Sequence, residues 1–181
     1  MARATKKAAK KKVAARARTA VSKPAARKKR VKPIPDNYPV VNVCLRVGHA
    51  AEALQYYCRV FGGKVRMRLD MPDGRIGHSE IAIGKGLVMV SDEYPEMNMV
   101  GPITVGSVCS TIQIYVKDVD ATASAAVKAG GKILRPARNE FYGDRSCTIE
   151  DPFGHIWMIQ THVEDVPKAE MKKRLAKLFG G

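Results

Sequence analysis

Residues 1–32 of this 181-residue chain contain no Asp or Glu, although they contain 14 Lys and Arg. The whole chain has 32 basic and 17 acidic residues and a formal net charge of +15. Residues 33–181 therefore hold 18 basic and 17 acidic side chains, which makes them nearly neutral. A basic segment with few large apolar side chains has little to bury and repels itself, so we predict a disordered tail over residues 1–32.

Other absences exclude whole classes of protein. No apolar run reaches the roughly 18 residues of a membrane-spanning helix, and the N-terminus lacks the apolar stretch of about 7–15 residues that a signal peptide needs. The four cysteines form no Cys-x-x-Cys pair, and no Gly-x-Ser-x-Gly or phosphate-binding glycine motif is present. We therefore expect a cytoplasmic protein with reduced thiols, without a membrane partner and without a nucleophilic triad.

The tail predicts non-specific binding to nucleic acid, because clustered Lys and Arg neutralise phosphates and release counterions without reading bases. Such binding would make the protein nucleoid-associated. A nuclear-localisation-like cluster, a transit peptide and a solvated tail without a function remain alternatives. The residues expected to carry the binding form two basic clusters, Lys10, Lys11, Lys12 and Arg27, Lys28, Lys29, Arg30.

A Pro-rich linker at residues 33–39 leads into a first module at residues 40–92. Alternating apolar residues predict strands, and apolar residues at helical spacing predict one helix, which Gly62-Gly63 ends. The predicted elements are strand Val40–Val47, helix Ala50–Phe61, and strands Lys64–Asp70, Ile76–Ile83 and Leu87–Ser91.

After a connector at residues 93–108, the same pattern returns over residues 109–161. Phe61-Gly62-Gly63-Lys64-Val65 is matched 68 residues later by Ala129-Gly130-Gly131-Lys132-Ile133, which indicates an internal duplication. The predicted fold class is α+β, with two tandem βαβββ modules, followed by a C-terminal helix within residues 162–181 that Asp165 caps. The elements of the second module are strand Ser110–Val116, a helix from Asp118 to Ala129, and strands Lys132–Leu134, Arg145–Glu150 and Ile156–Gln160.

This layout resembles the vicinal oxygen chelate superfamily, which contains glyoxalase, bleomycin-resistance proteins and extradiol dioxygenases. The likeness covers about residues 38–178, and it implies that the two modules form a U-shaped, cavity-bearing mixed sheet in a homodimer. Residues Leu45–Gly48 resemble the first-strand motif of glyoxalase I. Three further segments look like the PhnB-like subgroup: Pro72–His78, Phe141–Ser146 and Asp151–Trp157.

The resemblance implies four metal-ligand positions, on the first and fourth strands of each module. They fall on Asn42, Met89, Thr111 and Met158, none of which is His, Asp or Glu. Because amides and thioethers hold hard or borderline divalent ions poorly, we expect neither a metal site of the usual kind nor any other cofactor. A displaced divalent metal is the less favoured alternative, with His78, Glu80 and His155 as weak candidate ligands.

Strand alternation predicts that one face of the sheets lines a cavity for a small organic molecule. Arg46 matches an arginine that contacts a substrate carboxylate in glyoxalase I, although a salt bridge to Glu80 is an equal alternative. Tyr142 and Arg145 precede a strand and could cover the cavity, unless Arg145 only pairs with Asp144. The predicted cavity residues are Asn42, Arg46, His78, Glu80, Met89, Thr111, Gln113, Tyr142, Arg145 and Met158.

These observations predict metal-independent binding, and hence sequestration, of a small organic molecule by a PhnB-like protein. Whether the protein is an enzyme stays open. If it is one, the resemblance implies a lyase, isomerase or dioxygenase with displaced metal ligands. A third alternative is a nucleic-acid-associated protein that acts through its tail.

Overall fold

The computed structural model describes residues 31–180. The contacts of the backbone divide the chain after Pro33, and the unit that begins at Ile34 contains every described helix and strand. Residues 1–30 of the predicted tail, with both of its basic clusters, lie outside the described residues. Within residues 31–180, no helix is both long and apolar enough to cross a membrane.

The chain forms two modules of the same layout, each with one strand, one helix and three further strands. The first module consists of β1 (Val43–Val47), α1 (Ala50–Phe61), β2 (Lys64–Asp70), β3 (Ile76–Ile83) and β4 (Gly86–Asp92). The second consists of β5 (Thr111–Tyr115), α3 (Val119–Lys128), β6 (Lys132–Asn139), β7 (Asp144–Glu150) and β8 (Ile156–His162). A short helix α2 (Pro102–Val105) lies between the modules, and α4 (Lys168–Leu178) follows the second.

Each module builds its own four-stranded mixed sheet. Sheet 1 has the strand order β1-β4-β3-β2, and sheet 2 has the order β5-β8-β7-β6. The first strand of each module runs parallel to the fourth, and the other neighbours are antiparallel. The predicted α+β fold of two tandem βαβββ modules is confirmed.

The duplication extends to a β-bulge in the second strand of each module. In β2 the register shifts between Val65 and Met67, and in β6 it shifts between Ile133 and Arg135. The extra residue of the bulge is therefore Arg66 in sheet 1 and Leu134 in sheet 2. A bulge places two neighbouring side chains opposite a single residue of the next strand. Arg66 and Met67 thus both lie opposite Glu80.

One hydrophobic core joins the two modules. Helix α1 of the first module packs its rings against Trp157 of the second, with ring centroids 5.3 Å apart for Tyr57 and 4.6 Å for Phe61. The carboxylate of Asp151 accepts hydrogen bonds from the Tyr57 hydroxyl and from Trp157 Nε1, both at 2.8 Å. Trp157 faces the helices, and it is fully buried.

The structure corrects three local predictions. The C-terminal helix begins after Pro167, so Asp165 does not cap it; its carboxylate instead contacts His162 Nε2 at 3.0 Å. Strand β6 continues through Pro136 to Asn139, because β6 is an edge strand and can accommodate a residue without an N–H. The connector, for which the sequence predicted no element, contains α2 and a single 3-10 turn over Pro95–Met97.

Candidate functional site

Each sheet has one face toward the helices and one face away from them, which we call the helix-distal face. In sheet 1, the buried side chains of β1 and β4 include Leu45, Val47 and Val90, so their strand neighbours point to the opposite face. Across that face, Cys44 pairs with Met89, and Met89 pairs with Glu80. The predicted site residues on the helix-distal face of sheet 1 are Arg46, His78, Glu80 and Met89.

The helix-distal face of sheet 2 has a matching arrangement. Gln113 of β5 lies opposite Met158 of β8, as Cys44 lies opposite Met89 in sheet 1. Gln113 Nε2 donates a hydrogen bond to Gln160 Oε1, and Gln160 Nε2 donates to the Tyr142 hydroxyl at 3.0 Å. The structure therefore brings together Gln113, Tyr142 and Met158.

A groove of about 510 Å³ lies between β1 and β5, each of which is an edge strand of its sheet. It brings Arg46 of sheet 1 into one depression with Thr111 and Gln113 of sheet 2. The alternative that Arg46 forms a salt bridge with Glu80 is wrong, because in the described part of the chain Arg46 has no ion pair and Glu80 contacts other groups. The half-buried guanidinium of Arg46 is thus available to a ligand.

Glu80 is the most buried charged residue of this face, with 3% of its surface exposed. Its Oε1 accepts a hydrogen bond of 2.5 Å from the Tyr38 hydroxyl and lies 3.4 Å from His78 Nε2. Its Oε2 lies 4.0 Å from Arg66 Nε. The bond from Tyr38 is the main cause that lowers the pKa of Glu80, and the same bond raises the pKa of Tyr38.

Tyr38 was not among the cavity residues predicted from the sequence. It lies in the predicted linker, where no periodic pattern indicates that a side chain returns to the sheet. The only signal was an aromatic residue, between Asn37 and Pro39, in a segment otherwise rich in Pro.

A second carboxylate network lies at the far end of sheet 2 and was also missed. Asp144 is 4% exposed and accepts a hydrogen bond from the Tyr115 hydroxyl at 2.7 Å. His162 Nδ1 lies 2.7 Å from the other oxygen of Asp144. These contacts raise the pKa of Tyr115 and of His162, and the hydrogen bond with Asp144 is the largest cause for each.

The sequence placed Arg145 over the cavity or paired with Asp144, and both interpretations are wrong. Arg145 projects from the helix-facing side of β7, where its Nε and Nη2 donate to the two carboxylate oxygens of Asp120, each at 2.7 Å. Ser146 lies opposite Gln160 on the helix-distal face of β7, so the neighbouring Arg145 points the other way.

Comparison with known proteins decides the family. A family model described as the Glyoxalase/Bleomycin resistance protein/Dioxygenase superfamily matches residues 40–159. The chain belongs to this superfamily.

Individual proteins are also similar to the chain in sequence or in fold. An uncharacterized protein of Mycobacterium bovis is 30% identical over 146 residues, which cover 79% of this chain and 96% of the relative. TioX from Micromonospora sp. ML1 has a TM-score of 0.53 and 27% identity over 68% of this chain and 99% of that structure. A PhnB protein from Bacillus cereus has a TM-score of 0.55 over 68% of this chain and 99% of that structure, and its 16% identity shows the fold alone.

The metal-ligand positions that the superfamily implies are held by residues that do not fit a hard divalent ion. Asn42 precedes β1, and its Nδ2 donates to the Pro39 carbonyl at 2.8 Å. The thioether of Met89 lies 3.5 Å from the thiol of Cys44. Thr111 supplies a hydroxyl and Met158 a second thioether, and neither binds such ions well.

The weaker metal candidates do not converge either. His155 lies in the turn before β8. Its ring Nε2 lies 3.1 Å from the Arg46 carbonyl oxygen, and its backbone N–H donates to the Asp151 carboxylate. His78 and Glu80 contact each other without a third ligand. In the described residues, no three His, Cys, Asp or Glu side chains are placed to hold a metal ion.

Proposed function

We propose that this superfamily member binds a small organic molecule on the helix-distal faces of its sheets, without a metal ion, and thereby sequesters it. The observation that carries the proposal is the pair Met89 and Met158. Each stands at the centre of its sheet, in the fourth strand of its module, at a position where the superfamily would supply a metal ligand. A thioether offers a soft, adaptable apolar contact rather than a bond to a hard ion.

The groups around the two methionines suit an organic ligand. Binding sites for small molecules combine apolar surface with a few polar groups that fix orientation. Here the polar groups are the free guanidinium of Arg46, the amides of Gln113 and Gln160, and the hydroxyl of Tyr142. None of these groups needs to react, because sequestration requires affinity only.

A second copy of the chain is the partner that we propose. Both helix-distal faces expose large side chains, with Met67 36% and Leu69 54% exposed on sheet 1, and Leu134 44% and Tyr115 61% exposed on sheet 2. A homodimer that covers these faces would remove apolar surface from water and enclose the bound molecule. Sedimentation over a range of protein concentrations tests this, since a monomer at every concentration would contradict it.

Ligand-observed NMR with a panel of small aromatic and heteroaromatic compounds, in the presence of EDTA, tests the binding proposal. Some compounds should bind, and Met89→Arg should abolish their binding by placing a charge on the face. Met97→Arg is the matched control, because Met97 is 65% exposed in the 3-10 turn of the connector, outside both sheets. Binding that requires added metal, or that survives Met89→Arg, would contradict the proposal.

The 14 basic and no acidic residues of the N-terminal 32 support a second role, non-specific binding of nucleic acid through the tail. The test compares duplex DNA binding by the full chain and by a chain that begins at Pro33. The full chain should bind more tightly, and its affinity should fall steeply as the salt concentration rises. Equal affinities of the two chains, or affinities that do not change with salt concentration, would show that the tail does not bind DNA.

A further inference from the structure

The side chain of Tyr38 lies on the helix-distal face of sheet 1, although its residue belongs to the segment before β1 and pairs with no strand. Its hydroxyl reaches Glu80, and the guanidinium carbon of Arg66 lies 5.3 Å from the centre of its ring. Arg66 Nη1 also donates to the Asn37 carbonyl at 3.1 Å. A phenol from outside the sheet therefore occupies part of the surface that we assign to ligand binding.

The groups that surround this phenol are fixed by the sheet. Glu80 lies in β3, which pairs with β2 on one side and with β4 on the other. The bulge of β2 places Arg66 and Met67 opposite Glu80. His78 stands two residues before Glu80 on the same face. The side chains around the phenol thus belong to paired strands of the sheet, whereas the phenol itself is carried by a segment that has no strand or helix.

Burial explains why Glu80 needs a donor at this place. A buried carboxylate is costly unless hydrogen bonds compensate it, and the contacts of Glu80 with His78 and Arg66, at 3.4 Å and 4.0 Å, are longer than a good hydrogen bond. The Tyr38 hydroxyl gives the one short bond among the described contacts of Glu80. A molecule that takes the place of Tyr38 preserves this bond only if it supplies a donor of its own.

We propose that Glu80, Arg66 and His78 form a subsite for the hydroxyl and ring of a phenolic small molecule, and that Tyr38 fills this subsite when no ligand is bound. This inference rests on the proposed function, and it names the class of molecule. A phenol donates to Glu80 and presents a π-face to the guanidinium. An anionic group at the position of the hydroxyl would face the carboxylate of Glu80 and be repelled by it.

Binding of p-cresol, which is the tyrosine side chain as a free molecule, tests the inference on the full-length protein by calorimetry. Tyr38→Ala should bind p-cresol at least about tenfold more tightly than the wild type, because a tethered side chain competes at an effective concentration in the millimolar range. Toluene lacks the hydroxyl and should bind Tyr38→Ala about tenfold more weakly than p-cresol does. Adding Glu80→Gln to Tyr38→Ala should weaken p-cresol binding by a similar factor.

Tyr94→Ala is the matched control. The Tyr94 ring also lies on an arginine, with Arg75 3.9 Å from its centre, but its hydroxyl has no hydrogen-bond partner among the described residues. This variant should bind p-cresol no better than the wild type. The inference is overturned if Tyr38→Ala gains no affinity for p-cresol, or if toluene binds this variant as tightly as p-cresol does. If other compounds still bind in a Met89-dependent manner, the phenol subsite fails while the proposed function stands.

Discussion

Asp151 shows how one buried side chain joins the two modules. Its carboxylate accepts hydrogen bonds from the Tyr57 hydroxyl, Trp157 Nε1 and the N–H groups of Phe153 and His155, all at 2.8–2.9 Å. Asp151→Ala would leave these four donors unpaired and buried, so we expect it to lower the free energy of unfolding by about 3 kcal/mol or more. Urea unfolding followed by the fluorescence of Trp157, the only Trp of the chain, measures the loss.

Asp73→Ala is the control for Asp151→Ala. Asp73 is also a turn aspartate, but it is exposed and pairs with Arg75 at the surface. We expect Asp73→Ala to cost far less stability than Asp151→Ala, because exposed ion pairs contribute little. Equal losses in the two variants would contradict the assignment of Asp151 as the residue that joins the modules.

His162 makes stability depend on pH. The carboxylates of Asp144 and Asp165 raise its pKa above the ordinary value near 6.5. The protonated ring therefore favours the folded state, and this contribution is complete below the ordinary pKa and disappears as the pH rises through the raised pKa. The difference in unfolding free energy between wild type and His162→Gln should be largest at acidic pH and shrink above neutrality. A difference that does not change with pH would contradict this reading.

Among single residues, those on regular strands were the predictable ones. Alternation placed Arg46, Glu80 and Met89 on one face, and the structure agrees. The prediction for Arg145 failed because Arg145 was grouped with Tyr142 in the segment before the strand, whereas it is the second residue of β7 and follows the strand's alternation. Tyr38 could not be predicted, because its position depends on a contact with a residue 42 positions away.

At the scale of elements, the turn before β7 fastens the segment that follows β8. The carbonyl of Gly143 accepts hydrogen bonds from the N–H groups of Val163 and Glu164, at 3.0 and 2.9 Å. Gly143 has φ +100°, and a Cβ there would lie 2.1 Å from the Glu164 carbonyl oxygen. Gly143→Ala therefore combines a strained backbone with a clash, and we expect a loss of about 3 kcal/mol in unfolding free energy.

Gly84→Ala separates the two causes. Gly84 also has a positive φ, +57°, but a Cβ there would have no atom within 4 Å. Only the strain remains, so we expect a loss of about 1 kcal/mol in the same urea unfolding measurement. If both variants lose the same stability, the close packing of Gly143 against Glu164 is not what matters.

The elements that were predicted well have strong local patterns. Helix α1 spans Ala50–Phe61 as predicted, because its apolar residues repeat at helical spacing and Gly62, at φ +66°, ends it. Helix α2 has only four residues, too few for a periodic pattern, and the sequence did not show it. The first strand begins at Val43 rather than Val40, since Asn42 turns back to the Pro39 carbonyl.

At the scale of the whole molecule, the excess positive charge and the superfamily match lie in separate parts of the chain. The net charge of +15 arises almost entirely from residues 1–32, whereas the superfamily match covers residues 40–159. The duplicated layout and the local motifs predicted the family, and strand alternation predicted the face to which we assign the site. It did not predict that sheet 1 would be partly occupied by the chain's own Tyr38, since that depends on tertiary contacts.

The proposed function requires that this member of the superfamily binds its ligand without a metal ion. Elemental analysis of the purified full-length protein, after incubation with Zn, Ni, Mn and Fe salts and removal of unbound ions, tests it most directly. Because thioethers, an amide and a hydroxyl stand at the implied ligand positions, we predict a metal content far below one ion per chain. One tightly bound divalent ion per chain would contradict metal-independent ligand binding.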